Sequence, residues 1–363
     1  MNCLPHIGSL KPYQPGFQPK DGGWLKLNTN ENPYPCSPKV LDAITESLKR
    51  ENNASFRLYP DPNSFSLREA IANCYHINSS QVIAGNGSDD ILNLIVRAFT
   101  DPNSSAAFLD PSYSLYPILL SIQKSPWEVI PMDRNLEIDF PAIRCSTANI
   151  LLLTSPNAPT GLGFSNEIIS NIAEEFSGLL VVDEAYGEFS EESAITLISN
   201  HDNLIVTRSF SKSYSLAGMR VGYGISSEKW IECLDKVRDS YNLDSLAQVA
   251  AIEAIKDQSY LKDIIRKIKL TRNRVEKFFS KLGWFCYPSN ANFIFVEPKD
   301  ITGYSGFEYA ENLYNFYKSK RILVRFFGKS EHFSSFLRIS IGTDQQMETV
   351  FEITELWLKE SQK

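Results

Sequence analysis

One lysine, Lys212, stands in the segment SFSKSYSLAGMRVGYG (209–224) among Ser209, Ser211 and Ser213, with Arg220 eight positions on and no other charge in the window. Such surroundings suit an amine that attacks a carbonyl, which must be partly desolvated and easily deprotonated. Hydroxyls with an arginine also suit a phosphate held next to that amine. The window alone is equally a serine-rich loop leading into a helix or strand. Three further segments carry chemistry. In GNGSDD (85–90) the glycines allow close backbone approach, and Ser88, Asp89 and Asp90 open a helix whose N–H groups can cradle an anion, although a plain capped helix start reads the same way. In SPNAPTG (155–161) Asn157 is the one amide able to point at a ligand, and a simple turn explains the segment equally well. In LLVVDEAY (179–186) Asp183 ends an apolar run three residues before Tyr186, and a carboxylate buried there needs a cationic or protonated partner.

In chain order these features are a phosphate cup, an amide, an acid with a tyrosine, a Schiff-base lysine and an arginine. Together they describe a pocket for pyridoxal 5′-phosphate. Asp183 would keep the pyridine nitrogen protonated, Tyr186 and Asn157 would bond the phenolate oxygen, and Ser209, Ser211, Arg220 and helix N–H groups would hold the phosphate.

Elements able to position these residues are visible in the hydrophobic pattern. Short apolar runs at 82–85, 106–110, 127–130, 150–154, 179–183, 204–208 and 221–225 alternate with helix-length segments near 64–77, 88–99, 114–124 and 165–176. Continuous runs in such alternation predict an α/β domain built on a mostly parallel sheet buried on both faces. Ligands bind such sheets beyond the carboxyl ends of the strands, where all four segments fall. From about 228 to 282 the chain reads as almost wholly helical. Runs at 293–296, 322–326 and 337–341, separated by helical segments near 305–320 and 344–360, predict a smaller α+β domain. We expect a large domain over 49–262, with 1–48 and 263–363 forming an N-terminal arm and the small domain. The arm is marked by six prolines in the first 35 residues.

Composition bounds the partners. With 363 residues, 43% hydrophobic and 22% charged, and a formal net charge of −7, the chain has the balance of an ordinary soluble globular protein and lacks the basic stripe of a nucleic-acid or anionic-membrane binder. Its six cysteines show no CxxC spacing, so neither a disulfide framework nor a zinc site is expected, and a reducing, cytoplasmic compartment is. The four histidines are isolated, which argues against metal hydrolysis and a serine–histidine triad. FGKS (327–330) lacks the upstream glycine of a P-loop, and GNGSDD has Asp90 where a dinucleotide fingerprint needs a small residue.

From about residue 10 to 355 the chain resembles the fold-type I pyridoxal-phosphate aminotransferases and, within them, the histidinol-phosphate aminotransferases. The motifs are LKPYQPG (10–16), NENPYPCSPKV (30–40), RLYPDP (57–62), GNGSDDILNLIVRAF (85–99), DPSYSLYP (110–117), SPNAPTG (155–161), VVDEAYGEF (181–189), SFSKSYSLAGMRVGYG (209–224) and FLRISIGT (336–343). The resemblance implies that Tyr113 stacks on the cofactor ring, that the backbone of Ser88 and Asp89 joins the phosphate site, and that Arg338, supported by Arg325, clamps substrate. It also implies that Tyr13 from the arm and Tyr59 from a second subunit close the site of a homodimer, and that the substrates are histidinol phosphate as amino donor and 2-oxoglutarate as 2-oxo acid. The chain departs from the family at Pro35 and Cys36, where glycine and proline are usual, and at Asp90, where glutamate is common. Three other readings share parts of this pattern. A broader aromatic or other amino-acid aminotransferase is the nearest competitor. A threonine-phosphate decarboxylase shares nearly all the motifs, but typically begins with a His-Gly-Gly stretch absent here. A silent binding module would be expected to have lost Lys212 or Asp183.

Overall fold

The computed structural model describes residues 3–12, 16–49, 57–330 and 332–360. In chain order the strands are β1 (Leu25–Lys26), β2 (Val82–Gly85), β3 (Ala106–Asp110), β4 (Trp127–Pro131), β5 (Ile150–Thr154), β6 (Leu179–Asp183), β7 (Leu204–Ser209), β8 (Gly222–Ser226), β9 (Phe285–Cys286), β10 (Phe293–Glu297), β11 (Ile322–Leu323), β12 (Arg325–Phe326) and β13 (Leu337–Ser340). Seven of them form the main sheet in the order β2-β8-β7-β6-β5-β3-β4. Within it β3 through β7 run parallel, while β8 is antiparallel to both β2 and β7.

The apolar runs are continuous because the sheet is covered on both faces. Along β5, Leu151 and Leu153 enter one core while Ile150 and Leu152 enter the other; along β6, Leu180 and Val182 oppose Leu179 and Val181 in the same way. The first face is covered by helices Phe65–Tyr75, Asn166–Glu175 and Ser245–Lys256, the second by Ser88–Phe99, Tyr116–Gln123 and Glu228–Val237. Each such side chain contributes about 1.5–3 kcal/mol on burial, so the strand ends sit on a stiff platform.

The smaller sheet, β12-β13-β10-β9, packs with helices Gln258–Lys281, Phe307–Ser319 and Asp344–Glu360 around a separate core. Helix Gln258–Lys281 spans both cores: its Leu261 lies in the first, whereas Ile264, Ile268, Val275 and Phe279 lie in the second. The run at 322–326 proves to be two strands. β11 pairs in parallel with β1 from the arm, and β12 pairs antiparallel with β13, so Val324 is where the chain leaves one partner for another. The helical stretch 228–282 is likewise three helices, with Asp244 capping the second through Ala247 N. Among the described residues no helix is long and apolar enough to cross a membrane.

Candidate active site

Register sets the floor of the site. In the parallel ladder Thr154 is paired with Asp183 and Asp183 with Thr207, so three polar residues end three buried strands in one row. Asp183 is 2% exposed. Its Oδ1 accepts from Thr207 Oγ1 at 3.0 Å and Ala185 N at 3.3 Å, and its Oδ2 accepts from Tyr116 Oη at 3.3 Å. Among the described residues none of these partners is a cation. Burial therefore dominates, and the carboxyl is pushed up to about 6. The neighbouring acid, Glu184, is equally buried but turned away, where Arg208 pairs it at 2.7 Å and also pairs Glu188 at 2.9 Å. Of the two adjacent acids, Glu184 is paired inside the fold, and Asp183 lines the cavity with only neutral partners among the described residues.

Close packing of β8 against the start of helix Ser88–Phe99 makes an anion cradle. A Cβ on Gly222 would lie 2.3 Å from Ser88 N, and one on Gly87, whose φ is +97°, would meet Arg220 Nη2 at 2.7 Å. Both positions need glycine to bring the helix N-terminus and Arg220 to the same place. Arg220 Nη1 donates to Ser211 Oγ at 3.2 Å, and its guanidinium stands 3.8 Å from Asp89. Ser209 Oγ accepts from Ser211 N at 3.1 Å, which shapes the loop that leads to Lys212. The Lys212 ammonium donates to Thr29 O at 3.0 Å and lies 5.9 Å from the Tyr186 ring centre. Burial and the Arg338 cation bring this amine down to about 8.

The antiparallel register of β12 and β13 sets Arg325 directly opposite Arg338. Like charges placed so repel, and an anion between them relieves the repulsion. Phe327 lies beneath both guanidinium groups, 6.0 Å from Arg325 and 5.7 Å from Arg338, and Phe293 lies 5.1 Å from Arg338. Arg338 Nη2 also donates to Asn28 O at 3.4 Å.

Of the residues singled out from the sequence, Ser88, Asp89, Tyr113, Asp183, Tyr186, Ser209, Ser211, Lys212, Arg220, Arg325 and Arg338 line one cavity of about 940 Å³. Tyr113 Oη donates to Asp89 Oδ1 at 3.2 Å. Asn157 lies just behind the lining formed by Thr154, Ala158 and Pro159, its amide donating to Pro111 O at 2.8 Å and accepting from Thr160 Oγ1 at 2.8 Å. Tyr59 is outside this cavity, 79% exposed and stacked on Tyr241 at 4.4 Å. Tyr13 lies outside the described residues.

Sequence reasoning missed the part played by the arm at 28–32. Asn32 Nδ2 donates to Lys212 O at 2.9 Å and Ser213 O at 3.1 Å, which clamps the lysine loop, while Thr29 supplies the acceptor for the amine. It also missed Thr154, Tyr116 and Thr207; aligning the ends of the three apolar runs would have found the two threonines. The donor set fits pyridoxal 5′-phosphate: a cradle only glycines allow, an amine of lowered proton affinity, and a buried carboxylate without a cation.

Comparison with known proteins agrees with this arrangement. The family of class I and II aminotransferases matches residues 22–353. Histidinol-phosphate aminotransferase of Synechocystis sp. is 42% identical over 348 residues, covering 96% of both chains, and that of Geotalea daltonii is 42% identical over 358 residues, covering 97% of this chain and 98% of its own. The crystal structure of histidinol-phosphate aminotransferase from Sinorhizobium meliloti in complex with pyridoxal-5′-phosphate superposes with a TM-score of 0.86 at 26% identity, covering 98% of this chain and 97% of that one.

Proposed function

The chain belongs to the class I and II aminotransferase family, and from that premise we propose that it is a pyridoxal-phosphate-dependent enzyme that converts histidinol phosphate and 2-oxoglutarate to imidazole acetol phosphate and glutamate, a step of histidine biosynthesis. The observation that carries this reading is one cavity lined both by the cradle, Asp183 and Lys212 and by the Arg325–Arg338 pair.

When bound, pyridoxal 5′-phosphate supplies an electron sink for breaking the bond to hydrogen at the substrate's amine-bearing carbon. In our reading Ser209, Ser211, Arg220 and the backbone N–H groups of Ser88 and Asp89 would hold its phosphate, Asp183 would serve its ring nitrogen, Tyr186 and Asn157 its phenolate oxygen, and Tyr113 would cover its ring. Lys212 attaches the cofactor and carries the proton from the substrate carbon, a task suited to an amine lowered to about 8. Arg325 and Arg338 take the substrate's far anion. Planar guanidinium groups accept phosphate and carboxylate alike, which lets one site serve a phosphate ester and a dicarboxylic acid in turn.

We further propose a homodimer in which Tyr59, with the exposed Leu58 and Phe65 near it, faces a second copy and reaches that copy's cavity. Residues 49–262 then form the cofactor-binding domain, with 1–48 and 263–363 as the arm and small domain. Six unpaired cysteines suit a reducing cytoplasm.

Arg338→Lys is expected to lower kcat/KM for both substrates by roughly ten- to hundredfold, because one charge-assisted bond of ~1.5–3 kcal/mol is lost and an ammonium cannot restore the planar fork. Steady-state kinetics with each substrate varied in turn checks this, and a loss confined to one substrate would show that the two anions use different sites. The reading as a whole is tested by mixing the cofactor-loaded protein rapidly with histidinol phosphate, phenylalanine, tyrosine and threonine phosphate. Histidinol phosphate is expected to discharge the cofactor fastest, with the aromatic amino acids weaker. A faster aromatic donor would reassign the substrate, and release of CO₂ from threonine phosphate would reassign the reaction.

A further inference from the structure

Asn30 makes contacts that the proposed chemistry leaves unused. The residue is 1% exposed and joins three segments far apart in the chain. Its Nδ2 donates to Tyr186 Oη at 2.8 Å, and its Oδ1 accepts from Ser340 Oγ at 3.1 Å. Its backbone N–H donates to the same Ser340 Oγ at 2.9 Å, and its carbonyl accepts from Asn292 Nδ2 at 3.0 Å.

With the amide oriented as these contacts place it, the Ser340 hydroxyl accepts the Asn30 N–H and donates its own hydrogen to Asn30 Oδ1. The amide nitrogen is thereby turned to Tyr186, whose oxygen must accept. A phenol has one hydrogen, and here that hydrogen is left for another acceptor on the cavity side, which Tyr186 lines. Burial holds the phenol protonated, against smaller opposing effects of Arg338 and of the Asn30 bond itself.

Resting on the pyridoxal-phosphate reading, we propose that Asn30 is a positioning residue that keeps the Tyr186 hydroxyl hydrogen directed into the cavity as a donor to the cofactor's phenolate oxygen. The residue type fits the task. The Asn30 backbone is left-handed, at φ 57°, a region that asparagine tolerates better than most side chains. Its anchor, Ser340, lies on β13 two residues beyond Arg338, so the strand that carries the substrate arginine also sets the tyrosine.

Two variants separate this role from a structural one. Asn30→Asp keeps size and backbone preference but replaces the donor at Tyr186 with an acceptor, which would draw the phenol hydrogen out of the cavity. Asn30→Gly keeps the left-handed turn and deletes the side chain, and serves if the first variant does not fold. The readout is the pH midpoint of the visible absorbance of the cofactor-loaded protein without substrate. A donor at the phenolate oxygen favours the deprotonated form of the cofactor–lysine link, so its loss is expected to raise the midpoint by about one pH unit, a tenfold change in proton affinity. In a Tyr186→Phe background the uncharged Asn30→Gly is expected to shift nothing further. An unchanged midpoint in the single variants, or an equal shift in both backgrounds, would overturn the inference. A wild-type protein that takes up no cofactor would instead overturn the reading on which it rests.

Discussion

Lys212→Ala is expected to lower turnover by about a thousandfold or more while the protein still binds pyridoxal 5′-phosphate noncovalently. The two effects separate because different atoms carry them. The cradle is made by the start of helix Ser88–Phe99, Ser209, Ser211 and Arg220, held in place by the contact of Gly222 with Ser88 N, and none of this depends on the lysine. In the proposed chemistry the amine alone would supply the nucleophile and the proton carrier. Its surroundings prepare it for both: burial and Arg338 bring it to about 8, so near neutral pH an appreciable share is already deprotonated. Lys212→Arg is expected to be as inactive as the alanine variant, since a guanidinium stays charged throughout this range. Borohydride treatment of the wild-type protein should fix the cofactor to the peptide that contains Lys212, detected by mass spectrometry. A tag on another lysine would remove Lys212 from the mechanism.

The sequence showed the main sheet and the cradle because both arise from local pattern. Strands β2 to β8 were readable to within a residue or so: burial on two faces leaves an uninterrupted apolar run in the central strands, whereas the edge strand β4, with Trp127 and Val129 exposed, was readable from its β-rich composition. Their direction was less readable: nothing in VGYGI shows that β8 lies antiparallel between β2 and β7. Two-residue strands such as Leu25–Lys26 and Phe285–Cys286 have no period to detect. The arm was hidden for a different reason. Asn28, Thr29, Asn30 and Asn32 act through single hydrogen bonds to residues between 156 and 310 positions away, and such bonds leave no periodic trace. Asn157 shows what a motif leaves out: it marks the loop beside the cavity, but not that the amide also ties Pro111 and Thr160 together.

Asp183→Asn is expected to retain the cofactor and lose roughly a hundredfold in turnover, with opposite effects on the stability of the empty and loaded protein. In the empty protein the carboxyl is raised from 3.8 to about 6 by burial. The folded chain thus binds this proton more tightly than the unfolded chain. The stability gained from the proton is fully present below 3.8 and is lost as pH rises through about 6. At ~1.36 kcal/mol per pH unit, holding the ionised carboxylate in place costs the empty protein about 3 kcal/mol at pH 8. Asparagine removes that cost; its one carbonyl oxygen can still accept from Thr207 and Ala185 while its amide nitrogen donates to Tyr116 Oη, so the empty variant should be the more stable protein at pH 8 and should lose this advantage toward pH 4. With cofactor bound the order should reverse, because the carboxylate then meets the protonated ring nitrogen, and a charge-assisted bond of ~1.5–3 kcal/mol is present only in the wild type. In the proposed chemistry that same bond would let the ring accept charge, so its loss is expected to fall on the chemical step and to leave substrate binding largely alone. Urea unfolding of both proteins at pH 5 and 8, with and without cofactor, tests the energetics, and the rate at which glutamate discharges the bound cofactor tests the chemistry. An unchanged discharge rate in Asp183→Asn would separate this carboxylate from the reaction, whatever the unfolding curves gave.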